Sequence, residues 1–97
     1  MDVRWTLQAL RDREQILEYS KDFSPRAAVR ADDQIELQTN NLKRFPKMGR
    51  PGRFAGTREL VILHTRCIAV YRVAEDGVVI LRVFYGTQQS PNTLDLA

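Results

Sequence analysis

Arginine is the residue type most able to do chemistry in this chain. Arg50, Arg53, Arg58, Arg66, Arg72 and Arg82 all lie in its second half. A guanidinium is planar, stays charged and presents its N–H donors as a fork, so it grips a phosphate through two parallel hydrogen bonds. The stretch FPKMGRPGRF, residues 45–54, holds Lys47, Arg50 and Arg53, has Arg58 just beyond it, and contains no acid. That pattern fits an arm that grips something negative. It fits a solvated connection equally well. Arg72 and Arg82 are different, because they fall inside strand-like runs where backbone pairing would hold them, on one sheet face. The plainer reading is that their stems cover the sheet and their heads stay wet. The candidate target- or nucleic-acid-binding residues are therefore Lys47, Arg50, Arg53, Arg58, Arg72 and Arg82. Tyr71, Phe84 and Tyr85 offer rings that could stack on bases, although Tyr71 and Phe84 suit a core.

Other chemistries find less support. The chain has one histidine, His64, and one cysteine, Cys67, with no other clustered ligand, which does not make a zinc site. Cys67 lies in an apolar run and reads as a small buried side chain. Nothing local would orient His64 for a hydrolase. No phosphate-cradling glycine motif of the P-loop or dinucleotide type is present. No metal and no cofactor are expected. A metal-free ribonuclease could combine arginines with a general base, but no such pair stands at a diagnostic spacing.

Length and charge narrow the class. Ninety-seven residues suggest one small domain, and 43% apolar with 28% charged residues is a globular composition. A lone thiol offers no internal disulfide, and MDVRWT lacks a signal-peptide pattern. No apolar run approaches the length of a membrane span. A soluble, cytoplasmic protein without a membrane partner is expected. Residues 1–42 hold six Lys/Arg against eight Asp/Glu, a balance of −2, whereas residues 43–82 hold nine against three, a balance of +6. The second half therefore calls for an anionic partner.

The elements that must position these residues follow from periodicity. Val3–Trp5 reads as a short strand. Thr6 can cap a helix running to Tyr19, with Ala9, Leu10, Ile16, Leu17 and Tyr19 at near-helical spacing and Arg11, Asp12, Glu14 and Glu18 on the other faces. Ser24-Pro25 is a second helix start. Ala28, Ala31, Ile35 and Leu42 mark its inner face to about Arg44, weakened by Gln38 and Thr39. Pro46 ends that helix, and Gly49, Pro51 and Gly52 disfavour regular structure in the basic loop, with Phe45 and Phe54 as anchors at its ends. Strands follow at Glu59–Leu63, Cys67–Val73 and Val78–Phe84, the last two joined by a hairpin signal at Asp76-Gly77. The fold class is α+β in the order β-α-α-β-β-β. A helical hairpin packs on a small, mainly antiparallel sheet of three or four strands. The domain spans residues 1–91, with 92–97 as a flexible tail.

The stretches VRWTLQALRDREQILEYS, RFPKMGRPGR, GTRELVI, IAVYRV and VVILRVFYGTQQSP cover about residues 3–91 in this order. Together they resemble the RelE/ParE superfamily, the toxins of bacterial type II toxin–antitoxin modules. The resemblance implies a small toxin wrapped by a cognate antitoxin, which meets operator DNA only through that antitoxin. It also implies one of two targets. RelE-like members cleave mRNA in the ribosome, and ParE-like members poison DNA gyrase. The nuclease branch carries an arginine on the middle strand, where this chain has Ile68, and another after the last strand, near Gly86. Tyr85 stands where many relatives have His, and Ser90 replaces a tryptophan that often precedes Pro91. If the chain were a nuclease, Tyr85, Arg82 and Arg58 would be its catalytic residues. The absent arginines favour the ParE-like, non-enzymatic branch, with a ribosome-dependent mRNA endonuclease or an inactive, degenerate toxin as alternatives.

Overall fold

The computed structural model describes residues 2–86. The expected tail and the 91/92 boundary lie outside the described residues. Strand β1 (Asp2–Trp5) leads into α1 (Leu7–Lys21), α2 (Pro25–Asn40) and a single 3₁₀ turn at Asn41–Lys43. The strands β2 (Arg50–Pro51), β3 (Arg58–Val61), β4 (Cys67–Ala74) and β5 (Gly77–Tyr85) follow.

Both helices start where capping chemistry puts them. Thr6 is extended, and its hydroxyl accepts from Ala9 N. Ser24 does the same for Ala27 N, with Pro25 in the first turn. Each side chain pairs a backbone donor that the first turn would leave unsatisfied. Arg13 ties the two helices by donating to Asp32 at 2.7 Å and Glu36 at 2.9 Å. Its guanidinium also lies 5.2 Å from the Trp5 ring centroid. Burial pulls the Arg13 pKa down, but the bonds and charges of Asp32 and Glu36 overcome this and raise it.

The sheet has five strands in the order β1-β5-β4-β3-β2. The expectation of three or four strands is corrected by β2, which lies within the basic loop. Pro51 has no N–H to give a ladder, and an edge position tolerates that. Only the β1–β5 pair is parallel; the other three pairs are antiparallel. The hairpin pairs Ala74 with Gly77, so Glu75 and Asp76 form its turn. Gly77 serves a different need, because a Cβ there would lie 2.5 Å from Asp2 O on β1.

The core lies between one sheet face and the helices. Ala9, Ile16, Ile35 and Leu42 meet Leu60, Ile62, Cys67, Ala69, Tyr71, Val78, Ile80 and Val83. Residues on this inner face alternate along β4 as Cys67, Ala69 and Tyr71. Along β5 they do not alternate strictly. Tyr71 pairs with Ile80 and Val70 with Arg82, so Leu81 is an extra, bulged residue. The bulge places Val83 on the inner face and Arg82 on the outer one. Thr39 is buried because its hydroxyl returns to Ile35 O at 2.7 Å. Gln38 leaves the stripe to bond the backbone just past β3, at Leu63.

Candidate functional site

The basic loop is fastened from both faces of the sheet. From the inner face, the Tyr71 hydroxyl donates to Pro46 O at 2.8 Å and accepts from Gly49 N at 2.9 Å. Arg58 lies beside it and donates Nη1 to Gly49 O at 2.7 Å and to Lys47 O at 3.2 Å. From the outer face, Glu59 Oε1 accepts from Arg50 Nη2 at 3.0 Å and Nε at 3.2 Å. Its Oε2 accepts from Arg53 N at 3.3 Å. Gly52 N reaches Thr57 O at 2.8 Å and closes the loop's far end. Burial pushes the Tyr71 phenol pKa up, against the Gly49 N–H and the Arg58 charge, which lower it. The stretch is therefore an ordered connection rather than a solvated tether. Phe45 does not anchor it: this ring is exposed, with Arg44 stacked 5.6 Å from its centroid.

The structure divides the candidate binding residues. Lys47 and Arg58 share an open cleft with Pro51, Thr57 and Val73. Arg50 is drawn to the buried Glu59. Arg53 and Arg72 are exposed. Arg72 pairs with Val79 on the outer face, away from Arg58, which stands opposite Tyr71.

Arg82 shares the outer face with Arg72, but its head folds round the edge of the sheet to Asp12. Arg82 Nε lies 2.7 Å from Asp12 Oδ2 and Nη2 lies 3.1 Å from Oδ1. The guanidinium also stands 4.9 Å from the Phe84 ring centroid. Asp12 was expected on the polar side of α1, and the structure corrects this: Asp12 is 6% exposed. The signal was present in the sequence, since Ala9, Asp12 and Ile16 follow one another on a single helical stripe.

Tyr85 closes a second cleft, of about 240 Å³, where the start of α2 faces the β3–β4 turn. Ile16, Phe23, Ala27, Ala28, Cys67 and Tyr85 are among its walls. Tyr19 meets Phe23 and Tyr85 edge-on at 5.2 and 5.7 Å. Burial raises the Cys67 thiol pKa, partly offset by the Thr65 hydroxyl, and the Asp32 charge adds to the rise. Neither Arg58 nor Arg82 is part of this cleft's wall. Of the three residues named for a nuclease, Arg58 stands opposite Tyr71, Arg82 opposite Val70 and Tyr85 opposite Cys67. At the two positions where a nuclease arginine would be expected, Ile68 pairs with Phe84, and Gly86 N bonds Arg66 O. A Cβ on Gly86 would lie 2.8 Å from that carbonyl.

Three contributors escaped sequence reasoning. Glu59 sits in a strand pattern that gives no hint of its loop partners. The Tyr71 hydroxyl is hidden behind an apolar reading of its ring. Gln38 accepts from Leu63 N at 2.8 Å and donates to Leu63 O at 2.9 Å, acting as a substitute strand. Among the described residues no cluster of His, Cys, Asp and Glu could hold a metal ion, and no helix is long and apolar enough to cross a membrane.

This architecture has known counterparts. A chain of the chromosomal ParDE toxin–antitoxin system of P. aeruginosa superposes with a TM-score of 0.80 at 27% identity, over 88% of this chain and 95% of that one. A chain of the RelBE2 toxin–antitoxin complex of Mycobacterium tuberculosis gives 0.59 at 28% identity, over 86% and 94%. In sequence, protein Y4kP of Sinorhizobium fredii is 41% identical over 92 residues, 95% of each chain. Toxin RelE2 of Caulobacter vibrioides is 37% identical over 81 residues, 84% of this chain and 90% of the relative. The family model for the ParE toxin of the type II toxin–antitoxin system, parDE, matches residues 3–90. The chain therefore belongs to the ParE toxin family of type II toxin–antitoxin systems.

Proposed function

We propose that this toxin arrests growth by binding DNA gyrase and holding it on cleaved DNA, and that a cognate antitoxin covers and silences it. The observation carrying this reading is the engagement of Arg82 by Asp12. A nuclease needs cations free to meet charge that develops on phosphate in the transition state. Here Arg82 is bound to a buried carboxylate, and Arg58 stands opposite Tyr71, away from Tyr85, which stands opposite Cys67. Ile68 and Gly86 supply no replacement. The apolar cleft beside Phe23 and Tyr85 suits an amphipathic antitoxin segment, which would order on binding.

The test is expression without the antitoxin in a susceptible bacterium, with translation and gyrase-cleaved DNA measured in parallel. The reading expects cleaved DNA to accumulate while translation continues at first. Translation arrest with cuts at A-site codons and intact gyrase would instead establish a ribosome-dependent mRNA endonuclease. That second reading is favoured by Tyr85, a proton-bearing group at the end of β5. The absence of any growth effect would mark a degenerate toxin.

A further inference from the structure

The open cleft beside the basic loop has a composition its surroundings do not balance. Lys47, Pro51, Gly56, Thr57, Arg58 and Val73 form its walls around about 230 Å³. Two of these are cations and none is a carboxylate. Neither Lys47 nor Arg58 has an ion pair among the described residues. Glu59, next along the strand from Arg58, faces the other side of the sheet and is taken by Arg50 and Arg53 N. Neighbouring like charges raise each other's energy, and an anion between them relieves it.

The cations are also held ready. Arg58 Nη1 is fixed by Gly49 O and Lys47 O, while its Nε and Nη2 donors have no partner among the described residues. One of the clamping carbonyls is that of Lys47 itself, so the two residues are set beside each other. Tyr71 holds the same turn through Pro46 and Gly49. A guanidinium fixed in this way loses little rotamer freedom when a ligand arrives.

We propose that this cleft binds a phosphodiester group of a nucleic acid, with Arg58 Nε and Nη2 as the fork and the Lys47 ammonium closing the opposite side. The balance of +6 over residues 43–82 supplies the wider attraction for a polyanion. Pro51 and Val73 give apolar walls against which a sugar can lie. The inference goes beyond the reading above, because it names a ligand and a place and holds for either target. DNA and RNA share this chemistry, and the experiment distinguishes them.

The full chain is titrated against a labelled DNA duplex and, separately, a labelled single-stranded RNA, across a range of salt concentrations. Lys47→Gln is compared with Arg26→Gln, an equal charge loss at an exposed position on α2. The Lys47 side chain is exposed and makes no hydrogen bond or ion pair among the described residues, so folding is not at issue. Lys47→Gln is expected to weaken binding about tenfold and lower the salt slope by about one, whereas Arg26→Gln stays within about twofold. A loss confined to the duplex assigns DNA, and a loss confined to the single strand assigns RNA. Equal losses in the two variants would overturn the proposal, as would an absence of binding to either nucleic acid at low salt. An acidic peptide of matched charge showing the same Lys47 dependence would also overturn it. The readout is independent of toxicity, so failure here and failure of the gyrase reading remain distinct.

Discussion

Asp12 and Arg82, 70 residues apart, together close the edge of the sheet that β1 leaves open. Strand β1 pairs with β5 only as far as Ile80. Beyond that point Thr6 donates its hydroxyl to Leu81 O at 2.9 Å, and Asp12 Oδ2 accepts from Val83 N at 3.0 Å. Side chains at the start of α1 thus take over the ladder where the strand ends, and the Arg82 charge accompanies the carboxylate. Asp12→Ala would take the carboxylate away from a largely buried guanidinium and leave the Val83 N–H without its acceptor. It should lower stability by about 2–4 kcal/mol, read as a shifted urea midpoint. Arg82→Met keeps the acceptor for Val83 and should lower it by no more than about half as much. A stability change below about 0.5 kcal/mol in Asp12→Ala would show that water replaces the contact.

The Tyr71 hydroxyl joins the basic loop to the core. Tyr71→Phe keeps the ring and removes both of its loop bonds. The loss should be about 1–3 kcal/mol, with faster tryptic cleavage after Lys47 and Arg53. There is a pH signature as well. The folded phenol pKa lies above the ordinary tyrosine value of about 10. The unfolded chain therefore loses this proton first. The Tyr71 contribution is complete below about pH 10 and fades as pH rises through the folded pKa. The stability difference between wild type and Tyr71→Phe should shrink over that alkaline range. A constant difference would contradict the assignment.

Gln38 pairs with both backbone groups of Leu63, and its loss should be local. Gln38→Ala is expected to cost about 1 kcal/mol and to speed amide exchange at Leu63 more than at Leu60. Uniform acceleration across β3 would mean that the contact holds the whole strand instead.

Restoring the arginine that the nuclease branch would place near the end of β5 should fail. Gly86→Arg brings a Cβ within 2.8 Å of Arg66 O, so the backbone must shift. A drop of about 1–3 kcal/mol is expected, with no ribosome-dependent RNA cleavage gained. Gain of cleavage would show that the branches differ by this one position.

Local signals in the sequence were sufficient for the helices. Thr6 and Ser24-Pro25 announce both starts, because capping involves only three or four neighbouring residues. The strand runs were legible for the same reason, and so was the loop's place between the helical and strand halves. What escaped depends on distant pairings. Strand β2 exists only because Arg50 and Pro51 meet Glu59 and Arg58. Gly77 looked like a turn residue, but its need for a bare Cα comes from β1, which lies across a parallel pairing. At the candidate site the cations were visible and their engagement was not. Whether an arginine is available depends on where the carboxylates fall. Glu59 and Asp12 are ordinary acids until the sheet and helix bring them to Arg50 and Arg82.

The bulge at Leu81 acts as a phase switch. Before it, Val78 and Ile80 face the helices, and regular alternation through Leu81 would bring Arg82 to the same side. An unbulged pairing that keeps Leu81 would turn Arg82 and Phe84 inward, and Val83 and Tyr85 outward. It would amount to four simultaneous substitutions. Losing the Leu81 codon would do the reverse: Arg82 would follow Ile80 directly and still face Val70, and Val83 would still face Ala69. Relatives that lack this one residue can therefore keep both Arg82 and Asp12 without disturbing the core.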